Sequence, residues 1–254
     1  MFGVDEIDIL KCRLTEVEDE DVTHVLVEAT LNHRGRPKPL YYADNKSEFE
    51  RWNDRIVHVI VTDLDPSDTS AWGRENAQRE ASWRGLTDAN PDDVIIHSDC
   101  DEVLTANAIS TARKLEGPGW RFRLRHLMYA IDWEVIGGQP MDQTITSRLK
   151  NISGFTEVRR GNSFPVAPPE LGPMGWHLSS LGGPDAIRRK LTRDCHPELT
   201  QIATEWIDKG LLYEKGVFPF DVGKAQPVDV DDTWPRYVTS GKAPAIWYRP
   251  REQA

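Results

Sequence analysis

The chain has 254 residues, which is enough for one large domain with a substantial core. Its formal charge is −10, with 41 acidic against 31 basic residues, and this balance argues against a broad nucleic-acid surface. The sequence has no bilayer-length apolar stretch and no signal-peptide pattern, and its three cysteines are too widely spaced for a disulfide framework or a zinc site. We therefore expect a soluble, cytoplasmic protein without a membrane span.

Strand and helix patterns alternate in the first half of the chain. Strands are predicted over residues 22–29, 55–61 and 93–98, and a helix is predicted over 75–86. Another helix begins after Thr105, an N-cap residue that is followed by apolar residues at helical spacing. This alternation predicts an α/β fold in which a largely parallel sheet is flanked by helices.

The second half of the chain has a different pattern. Residues 120–127 alternate apolar side chains with arginines, which is typical of a half-exposed strand with a basic face. That face is either solvated, the interpretation we favour, or directed at phosphates or a sugar. Helices are predicted over residues 184–192 and 198–209, and the segment 221–254, rich in Pro, Asp and Trp, is predicted to wrap the surface.

The acidic segment after residue 93 is the most informative part of the sequence. A β-branched run ends in Asp99, Asp101 and Glu102, at the sheet edge where α/β proteins bind ligands. One interpretation is a solvated turn in which Asp99 or Asp101 bonds nearby backbone amides. The other is a site for Mg²⁺ or Mn²⁺, because clustered carboxylates repel one another unless a cation neutralises them. Cys100, between two acids, is expected to turn into the core.

Four segments share features with one known family. They are DEIDILKCRL at residues 5–14, VLVEA at 25–29 with GRPKPL at 35–40, DDVII at 92–96 with DCDE at 99–102, and GWHLS at 175–179. Together, and in this order, they resemble the signatures of glycosyltransferase family 17. One departure is Val103-Leu104, which stands where the family has Ile-Pro after the acidic motif.

The resemblance implies a GT-A-like fold in a single domain over residues 1–254. Its donor-nucleotide half would cover about 1–115 and its acceptor half about 116–220, with 221–254 as the tail. It also implies a UDP-sugar donor, a metal site of the D-x-D type holding Mn²⁺ or Mg²⁺, and inversion at the anomeric carbon. The first guess for the sugar is N-acetylglucosamine, transferred to a carbohydrate or another hydroxyl acceptor.

The resemblance also assigns roles to particular residues. The predicted metal ligands are Asp99, Asp101 and His177. The predicted donor-binding residues are Glu28, Lys38, Arg79 and Asp99. Each has a structural alternative: an ion pair or a solvated cation for the charged residues, and a loop or core histidine that positions Trp176 for His177.

An inverting transfer needs a carboxylate base that deprotonates the acceptor hydroxyl. The candidates are Asp132, Glu134 and Asp185, and the spacing does not select among them. We prefer Glu134, because Trp133 beside it suits an acceptor pocket with an aromatic wall.

Two other functions compete with this prediction. One is a phosphohydrolase whose first D-x-D aspartate is the nucleophile; such enzymes usually carry Thr or Ser where this chain has Val103. The other is a non-catalytic nucleotide-sugar-binding protein with a relict site. The intact acid cluster and His177 favour a metal-dependent glycosyltransferase over both.

Overall fold

The computed structural model of the chain describes residues 4–68, 70–137, 141–160, 163–191, 200–211 and 224–249. The helices are α1 (Ile7–Glu16), α2 (Tyr41–Asp44), α3 (Ala71–Glu80), α4 (Ala106–Lys114), α5 (Phe155–Arg160), α6 (Gly183–Leu191), α7 (Thr200–Asp208) and α8 (Arg236–Thr239). The strands are β1 (His24–Ala29), β2 (Ile56–Val61), β3 (Val94–His97), β4 (Glu102–Leu104), β5 (Trp120–Met128), β6 (Trp133–Ile136), β7 (Met141–Arg148), β8 (Gly175–Ser179) and β9 (Lys224–Pro227). Short 3₁₀ helices cover Val4–Glu6, Lys46–Arg55, Ala81–Gly85, Leu149–Asn151, Pro169–Leu171 and Ala245–Trp247.

The described strands form two sheets. Strands β1 and β2 pair in parallel, and a second sheet of seven strands has the order β3-β7-β5-β6-β9, with β8 pairing both β4 and β5. In this second sheet β5 and β8 are parallel, and the other described pairs are antiparallel. The α/β class is confirmed, but the predicted largely parallel sheet is not.

The antiparallel arrangement has a local cause. Only residues 129–132 connect β5 to β6, and parallel strands need a crossover of a dozen residues or more. The chain therefore reverses, and β6 and then β7 run back along β5. The sequence pattern predicted β5, over residues 120–127, but neither β6 nor β7.

Side-chain caps set the starts of two predicted helices. Thr105 accepts a hydrogen bond from the backbone N–H of Ala108 at 3.0 Å, which confirms the predicted cap of α4. Helix α3 begins four residues before the predicted start at residue 75, because Ser70 accepts a bond from the N–H of Gly73 at 2.9 Å. Helix α7 lies within its predicted range and α6 begins one residue before its predicted start; residues 192 and 198–199 of these ranges fall outside the described part of the chain.

The C-terminal segment does more than wrap the surface. Its described part, residues 224–249, adds β9 to the edge of the sheet beside β6 and buries Trp234, Tyr237 and Trp247. Burial of large aromatic side chains is the main reason for this placement, because each removes a large apolar area from water.

The largest core cluster joins the two ends of the described chain. Its buried members are Ile9, Cys12, Val103, Leu127, Ile131, Trp176, Leu178, Leu181, Trp234, Tyr237, Val238 and Trp247. Trp176 and Leu178 flank His177 on β8, so the strand that carries this histidine is anchored on both sides. Among the described helices, none is both long and apolar enough to cross a membrane.

The arginines on β5 bond to the protein itself. Arg121 lies 3.1 Å from the carboxylate of Asp142, and Arg123 donates to the carbonyl oxygen of Ala167 at 3.0 Å. These contacts favour a structural role for the basic face over binding of phosphate or sugar.

Gly175 is the first residue of β8, and a glycine is needed there because β4 lies directly against it. A Cβ atom there would fall well inside van der Waals contact with the carbonyl oxygen of Val103 and 2.9 Å from the Cα of Leu104. We expect Gly175→Ala to destabilise the protein by about 1–3 kcal/mol through overpacking, as measured by urea unfolding. Gly154→Ala is the control, because its new Cβ would meet Glu80 oxygens at an ordinary 3.6 Å. Equal stability of the two variants would contradict this explanation.

Candidate active site at the acidic turn

The acidic segment forms the turn between β3 and β4, and helix α1 holds its backbone. Arg13 donates to the carbonyl oxygens of Asp99 at 3.0 Å and Glu102 at 2.9 Å, and to the hydroxyl of Ser98 at 2.7 Å. Cys100 packs against the core as predicted, and burial raises the pKa of its thiol to about 12. The turn is therefore fixed from the α1 side by a single guanidinium.

Arg159 of α5 pairs with two of the three carboxylates in the turn. Its Nη2 atom lies 2.6 Å from Asp99 Oδ2 and 2.7 Å from Glu102 Oε1, and its Nη1 lies 3.1 Å from Glu102 Oε2. Thr144 also donates to Glu102 at 2.8 Å. Burial raises the pKa of Asp99, but the charge of Arg159 outweighs it and brings that pKa to about 2. Glu102, 1% exposed, is thus part of a buried ion pair.

Asp101, in contrast, contacts His177 and Lys190. Its Oδ2 atom lies 3.6 Å from His177 Nε2 and 3.3 Å from Lys190 Nζ. Burial opposes ionisation of Asp101, yet the charge of Lys190 and the contact with His177 hold its pKa well below the usual range. Burial likewise lowers the pKa of His177, and the carboxylate of Asp101 outweighs that effect and raises it. The structure therefore brings together two residues that are 76 positions apart in the sequence.

Strand pairing explains how His177 reaches Asp101. Strand β8 lies between β4 and β5, so that His177 is level with Glu102 on one side and His126 on the other. The rings of His126 and His177 stack with their centroids 5.0 Å apart. Burial and the neighbouring His177 lower the pKa of His126 to about 3, so His126 is neutral at pH 7.

Asp101 and His177 are the residues of this site that could hold a divalent ion, because a carboxylate oxygen and an imidazole nitrogen face each other at 3.6 Å. Within the described residues, no three side chains of His, Cys, Asp or Glu form a complete metal site. The predicted third ligand, Asp99, directs its Oδ2 atom at Arg159 instead. The buried Nδ1 of His177 has no hydrogen-bond partner in the described structure. Ions such as Mg²⁺ are commonly bound by one or two protein side chains plus substrate phosphates.

A cavity of about 980 Å³ lies between β1 and β3 and reaches the acidic turn. Apolar side chains of both strands line it, together with Arg13, Arg79 and Asp99. His24 and His97 also line it, and burial lowers the pKa of each to about 3, so that both are neutral. The volume suits a nucleotide-sized ligand.

The predicted donor-binding residues fall in two places. Arg79 lines the cavity, where its Nη2 atom is 3.9 Å from Asp99 Oδ1 and 2.5 Å from Glu75 Oε1. Glu28 and Lys38 are not among the residues that line the cavity; they form a buried ion pair at 3.5 Å, with His58 3.2 Å from Glu28.

All three candidate bases contact arginines, and two of them, Glu134 and Asp132, each accept two hydrogen bonds from one arginine. Glu134 accepts two hydrogen bonds from Arg125, at 2.9 and 2.7 Å. Asp132 accepts bonds from the backbone N–H and the Nε of Arg249, at 3.0 and 3.2 Å. A carboxylate held by a guanidinium is a weaker base, because proton uptake would break the ion pair.

Asp185 has a different environment. Its side chain is 82% exposed, in the first turn of α6, and pairs with Arg188 at 3.1 Å. The same helix carries Lys190, which contacts Asp101. Asp185 is therefore the candidate base that shares an element with the acidic site.

Comparison with known proteins identifies the family. The family model for glycosyltransferase family 17 matches residues 1–179, and the chain belongs to this family. Two curated relatives are beta-1,4-mannosyl-glycoprotein 4-beta-N-acetylglucosaminyltransferases, from Homo sapiens and Rattus norvegicus. Each is 24% identical over 217 residues, covering 73% of this chain and 40% of the relative. This chain thus spans about 40% of the length of these relatives. No solved structure matches the chain.

Sequence reasoning did not identify Arg13, Arg159 or Lys190 as site residues. Arg13 lies within a segment that resembles the family, so its motif was a usable signal. Arg159 is 60 residues from Asp99 in the sequence, and Lys190 is 89 residues from Asp101. A local sequence pattern does not predict contacts between residues so far apart.

Removing Arg159 should destabilise the protein strongly. Arg159→Met leaves the carboxylate of Glu102 buried without its cation, and we expect a loss of about 3–5 kcal/mol in the free energy of unfolding, measured with urea. Arg160→Met is the matched control, because Arg160 is exposed and lies 4.6 Å from the ring centre of Trp72; its loss should be below about 1 kcal/mol. Adding Glu102→Gln to Arg159→Met should recover part of the stability. A double variant no more stable than Arg159→Met would argue against this account.

Proposed function

We propose that this protein is an inverting, metal-dependent glycosyltransferase that uses a UDP-sugar, with UDP-N-acetylglucosamine as the first candidate. Membership of glycosyltransferase family 17, and relatives that are named N-acetylglucosaminyltransferases, support this choice of sugar. The acceptor is a carbohydrate or another hydroxyl compound. The observation that carries the proposal is the cavity of about 980 Å³ that reaches the acidic turn, where Asp99 and Cys100 line it next to the Asp101–His177 pair.

The cavity supplies what a nucleotide requires. Its apolar walls, from β1 and β3, can cover a base and a ribose, and neutral His24 and His97 can exchange hydrogen bonds with them. Arg13 and Arg79 place positive charge in the same cavity. Asp99 borders it and faces both Arg79 and Arg159, so that this carboxylate lies between the proposed nucleotide position and the rest of the turn.

Asp101 and His177 would hold the divalent ion. When bound, such an ion acts as a Lewis acid that stabilises negative charge on the leaving diphosphate. Arg159 pairs with Asp99 and Glu102, and Asp101 is the carboxylate of the turn that faces His177. This division reduces the repulsion among the acids before any ligand binds.

We propose Asp185 as the base in preference to Glu134. The two bonds from Arg125 stabilise Glu134 as an unprotonated carboxylate, which opposes proton uptake during the reaction. Asp185 is exposed on the helix that reaches Asp101 through Lys190. An accessible carboxylate on that helix can receive the proton of an acceptor hydroxyl.

Metal-dependent nucleotide binding is the direct test. With Mn²⁺ present, calorimetry should show UDP binding more tightly than GDP or ADP. Asp101→Asn and His177→Ala should each weaken this binding by at least about tenfold, with less than additive effects in the double variant. Asp92→Asn is the control, because Asp92 is exposed and pairs with Lys150 before β3. Equal affinities for the three nucleotides, or unchanged affinity in both site variants, would contradict the proposal.

The base assignment is tested by comparing three isosteric variants. We expect Asp185→Asn to lower the rate of UDP release from UDP-N-acetylglucosamine, with acceptor present, by roughly two to four orders of magnitude. UDP affinity should stay nearly unchanged, while Glu134→Gln and Asp132→Asn should retain most of the rate. A large loss confined to Glu134→Gln would return the role to that residue. Phosphate release from simple esters would instead indicate a phosphohydrolase.

A further inference from the structure

Lys190 lies at the position where a divalent ion would contact Asp101. Its Nζ atom is 3.3 Å from Asp101 Oδ2, and the same oxygen is 3.6 Å from His177 Nε2. The carboxylate side chain of Asp101 is only 13% exposed, so it needs a positive partner. The Lys190 side chain is 31% exposed, on the last turn of α6, which gives its ammonium group a route to solvent.

An ammonium group and a divalent ion cannot both bind this oxygen closely. Two cations within a few ångströms of each other in a partly buried site repel strongly. A metal ion that binds Asp101 and His177 must therefore displace Lys190. The lysine stem is long and flexible, so the displaced ammonium can move while α6 stays in place.

We propose that Lys190 is the resident counter-ion of Asp101, that the divalent ion displaces it, and that the released ammonium then binds the diphosphate of the donor. This inference rests on the proposed metal-dependent function. It assigns Lys190 two successive partners, first the carboxylate and then the phosphate oxygens. Helix α6 begins after residue 179, where the family match ends, so this lysine belongs to a part of the chain that the family model does not cover.

The exchange makes metal and nucleotide binding cooperative. Without nucleotide, the ion must break the ion pair between Lys190 and Asp101, and nothing compensates for the loss of that pair. With the diphosphate present, Lys190 gains a new anionic partner, so the two binding events favour each other. The substitution of Lys190 should therefore have opposite effects on the two affinities, which a purely structural lysine would not produce.

The experiment measures two affinities by calorimetry for the full chain. For Lys190→Gln we expect Mn²⁺ alone to bind about 5–20-fold more tightly, and UDP at saturating Mn²⁺ to bind about tenfold more weakly. Lys190→Arg keeps the charge and should keep both affinities within about threefold of the parent. Arg188→Gln is the matched control, because it removes one charge from the same helix but pairs with Asp185 and Asp208; it should change neither affinity by more than about twofold.

The outcomes separate this proposal from the proposed function. If Mn²⁺ binds the parent through Asp101, judged by loss of binding in Asp101→Asn, but Lys190→Gln binds Mn²⁺ no more tightly, Lys190 does not compete and this proposal is wrong while the metal site stands. Unchanged UDP affinity in Lys190→Gln would overturn the diphosphate role. If neither the parent nor Lys190→Gln binds Mn²⁺, both proposals fail together. Matching circular dichroism spectra and melting temperatures would show that the variants fold alike.

Discussion

The ion pairs between Arg159 and two carboxylates of the acidic turn are the constraint on which the site depends. Asp99 and Glu102 both lie within 2.7 Å of its Nη2 atom, and Glu102 is fully buried, so that its charge would be very unfavourable without a partner. These contacts turn two of the three acids toward α5. Asp101 then faces His177 and Lys190 instead. One guanidinium therefore sets the direction of every carboxylate in the turn.

This arrangement changes how the acid cluster is interpreted. Repulsion among clustered carboxylates argued for a metal ion, since some cation must neutralise them. The protein supplies two such cations, Arg159 and Lys190, from helices distant in sequence. Stability of the turn therefore does not by itself require a metal. The case for a divalent ion comes instead from the Asp101–His177 pair and from the family to which the chain belongs.

The fold brings helix α1 and strand β8 together at the acidic turn. Helix α1 reaches the turn backbone through Arg13, and β8 carries His177 to it by pairing between β4 and β5. Both elements are held by the core cluster that also contains the C-terminal aromatic side chains. Loosening that cluster would therefore disturb the site, because its member Leu178 donates from its backbone N–H to the carbonyl oxygen of Asp101 at 2.7 Å. The cavity between β1 and β3 meets the same turn from the other side.

The sequence by itself determined the local features of this protein. Strand positions around residues 24–29, 56–61 and 94–97 and the Thr105 cap follow from side-chain periodicity and backbone hydrogen bonding, which act over a few residues. The family motifs likewise singled out Asp101 and His177. Only the tertiary structure decided strand direction, the partners of the acids, and the placement of the C-terminal aromatics in the core. Those features depend on contacts such as Arg159 with Asp99, 60 residues apart, which arise only when the folded chain brings opposite charges and apolar surfaces together.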